Sequence, residues 1–87
     1  MKFEDVFVDR EKRFSIGIEK QSGKYYLSFP VSNMLVDYEE YYELSKDEFE
    51  LYVRNPASAA PFLEEARNHE HDDRLIRRPG RDRGVPG

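Results

Sequence analysis

The sequence predicts an α+β fold, an antiparallel β-meander of three to four strands with two short helices packed on one face. Two segments alternate apolar and polar residues with period two, on either side of a short loop that contains a glycine. A tyrosine-rich acidic segment follows as the next strand. A serine-led capping box then marks the change from strand to helix.

Size and composition limit the protein to one small domain. The chain has 87 residues, 38% hydrophobic and 37% charged, which suits a single two-layer core. It contains no cysteine, so disulfides and thiolate metal sites are excluded. The acidic N-terminal segment lacks the apolar stretch of a signal peptide, and no apolar run approaches the ~18 residues of a membrane span. We therefore expect a cytoplasmic protein with no membrane partner.

Charge divides the chain into an acidic body and a basic end. Residues 1–73 hold 17 acidic and 9 basic side chains, a net charge of −8, whereas residues 74–87 hold five arginines and one aspartate, a net charge of +4. The proline and glycine content of the last residues is typical of unstructured termini. These observations predict a single α+β domain over 1–77 and a flexible basic tail over 78–87.

The first clear strands are predicted over 13–20 and 24–31. Antiparallel pairing places Ile18 opposite Leu27, and by the same register Ile16 lies opposite Phe29 and Phe14 opposite Val31. This puts all six apolar residues on one face and requires an even loop, of two residues (22–23) or four (21–24). Gly17 within a strand indicates a bulge or the close approach of another group. Residues 3–9 are apolar without clean alternation and form either a short edge strand or an arm across the sheet.

The third strand is predicted over 35–44. Its core face carries alternate residues: Met34, Val36, Tyr38, Glu40, Tyr42 and Leu44. Glu40 is the one misfit, because a carboxylate on a core face needs a partner. Its alternatives are pairing or hydrogen bonding, a place at the sheet margin, or a β-bulge that redirects it.

Two helices are predicted over 46–54 and 58–69. The first begins with a capping box, in which the Ser45 hydroxyl accepts from the Glu48 N–H and Glu48 reaches back to Ser45. Ser58 is the predicted N-cap of the second helix. Leu75 and Ile76 follow as either a short final strand or an apolar contact at the sheet edge.

Catalysis and metal binding have little support in the sequence. The segment 69–73 (His-Glu-His-Asp-Asp) has no zinc-site spacing, since two histidines at i and i+2 do not share a helix face. No nucleophile–base pair and no glycine-rich phosphate loop is visible. We expect no enzyme, no cofactor and no metal. An enzyme would require His69 or His71 beside Glu40.

The acidic tyrosine-rich segment is the best candidate for a binding surface. Tyrosine provides a large and rigid contact area, and interleaved carboxylates attract a basic partner. The predicted partner-binding residues are Asp37, Glu39, Glu40, Tyr41 and Glu43. The competing interpretation assigns Tyr38 and Tyr42 to the core and the intervening residues to an ordinary solvent-exposed face.

The arginine-rich end gives a second hypothesis. Arg77, Arg78, Arg81 and Arg83 could contact the acidic body, a partner, or the phosphates of RNA or DNA. The acidic body disfavours nucleic acid, and no aromatic residue lies among the arginines to stack on bases. The oligomeric state, monomer or homodimer, stays open.

Segments 14–19, 23–33 and 36–43, together with the tail at 79–84, resemble a group of short uncharacterised bacterial proteins. In size and acidity the chain is also similar to immunity proteins that neutralise bacterial toxins. These resemblances imply a non-enzymatic protein-binding module, of the kind that inhibits a basic toxin. The alternative is a small nucleic-acid-associated protein that uses its arginine tail.

Overall fold

Four antiparallel strands, in the order β1-β2-β3-β4, form the main sheet. The structure, a computed structural model, describes residues 1–32, 37–77 and 85–86. Its strands are β1 (Phe3–Asp9), β2 (Phe14–Glu19), β3 (Tyr25–Ser32), β4 (Asp37–Leu44) and the two-residue β5 (Val85–Pro86). Its helices are α1 (Lys46–Arg54) and α2 (Ala60–Arg67), with 3₁₀ turns at Pro56–Ala59 and Asp72–Arg74. The predicted α+β meander with two short helices is confirmed.

The register of the β2–β3 hairpin differs from the prediction by two residues. Ile16 lies opposite Leu27, not Phe29, and Ile18 lies opposite Tyr25. The loop has four residues, 20–23, and is closed by hydrogen bonds between Glu19 and Lys24 (2.8 Å) and from Gly23 to Glu19 (2.8 Å). A shift of two residues keeps every side chain on its predicted face. The predicted pairs were therefore wrong, and the face assignment was right.

β1 is an edge strand, so the first alternative for residues 3–9 is correct. It pairs with β2, and the register shifts between Asp5 and Phe7, where Val6 is the extra residue of a β-bulge. The bulge sends Phe3 and Phe7 to opposite faces of the sheet although both have odd numbers. Phe7 packs against Phe14 in the core, with ring centroids 6.0 Å apart.

The hydrophobic core lies between the helices and one face of the sheet, which we call the helix face. Burial of each large apolar side chain stabilises the fold by about 1.5–3 kcal/mol. The strands contribute Phe14, Ile16, Leu27, Phe29, Val31, Tyr42 and Leu44, and the helical segment contributes Tyr52, Ala59, Phe62, Leu63 and Ala66.

The start of α1 agrees with the prediction, and the start of α2 does not. Ser45 and Glu48 form the expected capping box, with hydrogen bonds of 3.1 and 2.8 Å. Ser58 lies inside the 3₁₀ turn, where its hydroxyl donates to the Asn55 carbonyl (2.6 Å) rather than capping α2. The predicted cap was wrong because Pro56 starts a tighter turn that runs directly into the helix.

The chain after α2 returns to the free edge of β4. Leu75 forms an isolated bridge with Tyr42, and the Ile76 N–H donates to the Tyr41 carbonyl (2.9 Å). This is the predicted apolar contact rather than a strand. β5 pairs with Val31 and Ser32 of β3, beyond the last β2 partner at Ser28. The flexible tail predicted over 78–87 stays a prediction, since the structure describes only Val85 and Pro86 of these residues.

No helix in the described ranges is long and apolar enough to cross a membrane.

Candidate partner-binding face

The face of the sheet opposite the helices carries an aromatic cluster. We call it the open face, because none of the helices in the described residues packs on it. Phe3 stacks on Tyr41 with ring centroids 3.6 Å apart, and Tyr26 meets both rings edge-on at 5.4 and 5.0 Å. Tyr26 is fully buried by this arrangement, whereas Phe3 and Tyr41 stay half-buried. The two outer rings therefore present a rigid aromatic surface.

Gly17 makes this cluster possible. It lies opposite Tyr26 in the β2–β3 pair, and the tyrosine ring covers it. A β-carbon at this position would overlap the Glu4 carbonyl oxygen and the Tyr26 hydroxyl. The prediction that Gly17 marks a close approach is confirmed, and the bulge lies in the neighbouring strand β1, between Asp5 and Phe7.

Two carboxylates lie beside the rings. The Tyr26 hydroxyl donates to Asp5 Oδ1 (2.5 Å), and burial together with this aspartate raises the pKa of Tyr26. Burial, followed by the charges of Glu39 and Asp5, also raises the pKa of Tyr41. We define the acidic aromatic patch as Phe3, Asp5, Tyr26, Glu39 and Tyr41.

The Glu39 carboxylate is held in an environment that disfavours its charge. Desolvation is the main cause that raises its pKa, and the charge of Asp5 adds to it. A hydrogen bond from the Ser28 hydroxyl and the charge of Arg13 act in the opposite direction. Neither Asp5 nor Glu39 has an ion-pair partner among the described residues. Two carboxylates near each other without a cation between them form a surface that attracts positive charge.

The structure brings some of the predicted partner-binding residues together and separates others. Glu39, Tyr41 and Glu43 lie on the open face, and Asp37 is exposed at the start of β4. Glu43 forms an ion pair with Lys24 (3.7 Å), which partly neutralises it. Glu40 points to the helix face and is only 5% exposed, so it lies apart from the other four, and its role in binding stays a prediction.

Glu40 is a buried acid with internal partners. The Tyr42 hydroxyl donates to Oε1 (2.9 Å) and the Tyr38 hydroxyl to Oε2 (3.3 Å). Tyr42 also lies 3.4 Å from the Ala66 carbonyl of α2. The β3–β4 register is regular, so among the predicted alternatives hydrogen bonding explains Glu40 and a bulge does not.

Sequence reasoning missed three members of the patch: Phe3, Asp5 and Tyr26. The signal for Phe3 and Asp5 was the broken alternation of residues 3–9, which marks the bulge that turns Phe3 toward Tyr41. It also missed Glu19, whose buried carboxylate accepts from the N–H groups of Lys2, Gln21 and Ser22 (2.8–2.9 Å). A hydrogen bond from the Ser22 side chain is the main cause that lowers the pKa of Glu19 to about 2, and the N–H groups lower it further.

The predicted tail contacts fall mostly outside the described residues. Arg77 is exposed, and its charge partly offsets the rise in the pKa of Tyr41, so it lies near the patch. Arg78, Arg81 and Arg83 are not described, and their contacts stay predictions.

Of the two late histidines, His71 makes side-chain contacts with α2. His71 Nε2 lies 2.8 Å from Glu65 Oε1, and its ring stacks on Phe62 with centroids 4.4 Å apart. Within the residues that the structure describes, no three His, Cys, Asp or Glu side chains are grouped to hold a metal ion.

Comparisons with models of protein families, with curated proteins and with solved structures found no match. No family is therefore assigned to the chain.

Proposed function

We propose that this protein is a non-enzymatic binding module that captures a basic protein partner on its open face. The acidic aromatic patch is the observation that carries the proposal. It combines two exposed carboxylates, Asp5 and Glu39, with the half-buried rings of Phe3 and Tyr41. A lysine or arginine side chain fits such a surface by ion pairing and by cation–π contact at once.

The rings support binding because they are already ordered. Phe3 and Tyr41 hold each other by stacking at 3.6 Å, and Tyr26 supports both from below. A partner therefore does not have to immobilise them, which lowers the entropic cost of association. The hydrogen bond from Tyr26 also orients the Asp5 carboxylate.

Charge supports the same class of partner. Burial is the main cause that raises the pKa of Glu39, and the charge of Asp5 adds to it; a cation placed between the two carboxylates relieves this repulsion. Arg13 and Arg77 act on Glu39 and Tyr41 from a distance, but neither forms an ion pair there among the described residues. The patch therefore keeps an unpaired negative charge for a partner.

Within this class, we favour a partner that itself grips phosphate, such as a basic nuclease toxin. Covering its basic surface with carboxylates would block its substrate, which is how an immunity-type inhibitor would act. The test is inhibition of a toxin that is encoded next to the gene of this protein. The native chain should inhibit this toxin, and the Glu39→Lys variant should not. Full inhibition by Glu39→Lys would contradict this role.

The binding proposal is tested with a synthetic arginine–glycine peptide as the probe. NMR titration should place the peptide on residues of the open face, and Glu39→Lys should weaken binding about tenfold, since hydrogen bonds to charged groups contribute roughly 1.5–3 kcal/mol. Glu50→Lys is the matched control, because Glu50 is an exposed acid on α1 with the same charge change. Equal loss in both variants, or affinity that does not fall with salt, would overturn the proposal.

A further inference from the structure

We propose that the cleft between the β1–β2 turn and α2 binds a small organic carboxylate. The cleft has a volume of about 610 Å³, within the range of small-molecule sites. Lys12 and Arg13 of the turn line it on one side, and Arg67 of α2 lines it on the other. It shares no residue with the acidic aromatic patch, although the charge of Arg13 also acts on Glu39, and it does not depend on the proposed function.

Arg67 is the main reason to expect an anion. It is half-buried, its Nη2 donates to the Lys12 carbonyl (2.6 Å), and its guanidinium lies 5.7 Å from the centre of the Phe29 ring. Among the described residues no carboxylate lies within ion-pair distance of it. Guanidinium groups removed from water are normally paired, and this one is held in place with donors to spare.

A second cation lies close to the first. Burial is the main cause that lowers the pKa of Arg67, and the charge of Arg13 lowers it further, whereas the charge of Glu64 acts in the opposite direction. The turn holds the backbone that leads to Arg13, since Asp9 Oδ1 accepts from the N–H groups of Glu11 and Lys12 (3.0 Å each), and Arg13 itself has a left-handed φ of 57° and an exposed side chain. An anion bound between the two guanidiniums would relieve their repulsion.

The rest of the lining selects the type of anion. Glu11 and Glu64 also line the cleft, so three cationic and two anionic side chains leave a net charge of only +1. This charge favours a monoanion over a phosphate dianion. Leu63 and Ala60 add an apolar wall, which suits a carboxylate with a hydrocarbon chain.

The test is an NMR titration of the full chain with hexanoate. We expect saturable shifts in the amide signals of Lys12, Leu63 and Arg67. Hexanol lacks the charge and inorganic phosphate lacks the apolar chain, so each should bind at least about tenfold more weakly. Equal binding of either compound, or no saturable shift with hexanoate, would overturn the proposal.

Variants distinguish binding of hexanoate in the cleft from non-specific attraction to positive charge. Arg13→Gln should weaken hexanoate binding about tenfold, and Arg67→Lys should also weaken it because lysine keeps the charge without the planar pair of donors. Lys46→Gln makes the same charge change at an exposed position at the start of α1 and should leave binding unchanged. Wild-type affinity in Arg13→Gln, with the native spectrum retained, would contradict the site.

Discussion

The two faces of the sheet place two neighbouring glutamates in opposite environments. Glu40 lies on the helix face, is 5% exposed and accepts hydrogen bonds from the Tyr42 and Tyr38 hydroxyls. Glu39 lies on the open face, is exposed, and is near another carboxylate, Asp5. Both residues are glutamates, and their environments differ only because successive side chains of a strand point to opposite faces of the sheet. An acidic residue in this strand is therefore structural or available to a partner according to its face.

The largest effect should come from reversing the charge on the helix face. Glu40→Lys places an ammonium group among buried hydroxyls and leaves Tyr42 without its carboxylate acceptor, so we expect a loss of about 4 kcal/mol in the free energy of unfolding. Glu39→Lys, one residue away on the open face, should change it by less than about 0.5 kcal/mol. Urea denaturation of both variants checks this contrast. Similar stabilities would show that the two environments do not differ as described.

A smaller loss is expected from Gly17→Ala on the open face. The added methyl group meets the Glu4 carbonyl and the Tyr26 hydroxyl, and such overpacking costs about 1–3 kcal/mol. Ser15→Ala on the same face of β2 adds no atom and is the control. Thermal denaturation of the two variants measures the difference. Native stability in Gly17→Ala would mean that Tyr26 does not lie against the strand.

The smallest stability change concerns pH and Glu19. Its folded-state pKa, about 2, is below the ordinary value of 4.5. The stabilisation of the fold by the ionised Glu19 carboxylate is therefore complete above about pH 4.5, and it is lost as the pH falls from there toward 2. Glu19→Gln should lower the melting temperature at neutral pH. In this variant the melting temperature should also fall less between about pH 4.5 and pH 2 than in the native chain. An unchanged pH profile in Glu19→Gln would show that the three N–H groups do not hold the carboxylate.

The hydrophobic pattern of the sequence predicted on which face of the sheet each side chain lies, but not which residues lie opposite each other on neighbouring strands. Alternation fixes register only to within an even shift, so Ile16 opposite Leu27 and Ile16 opposite Phe29 bury the same side chains. The choice between them is made by the loop, where the Glu19 carboxylate binds the N–H groups of Gln21 and Ser22. A polar contact of this kind leaves no periodic signal in the sequence.

The binding face was predictable only in part for a related reason. Tyr41, Glu39 and Glu43 followed from the alternation of β4. Phe3 joins them only because the bulge at Val6 changes which face of the sheet the odd-numbered side chains of β1 point to. Period-two analysis cannot place a residue on the far side of a bulge, and the aromatic cluster depends on that residue.

The assignment of the open face is tested most directly by comparing two neutral substitutions in adjacent residues. The affinity for the arginine–glycine peptide should fall several-fold in Glu39→Gln, because one of the two carboxylates beside the rings is lost. In Glu40→Gln the folded protein should bind the peptide as the native chain does, since that side chain lies on the helix face. A loss of affinity in Glu40→Gln with none in Glu39→Gln would contradict the account.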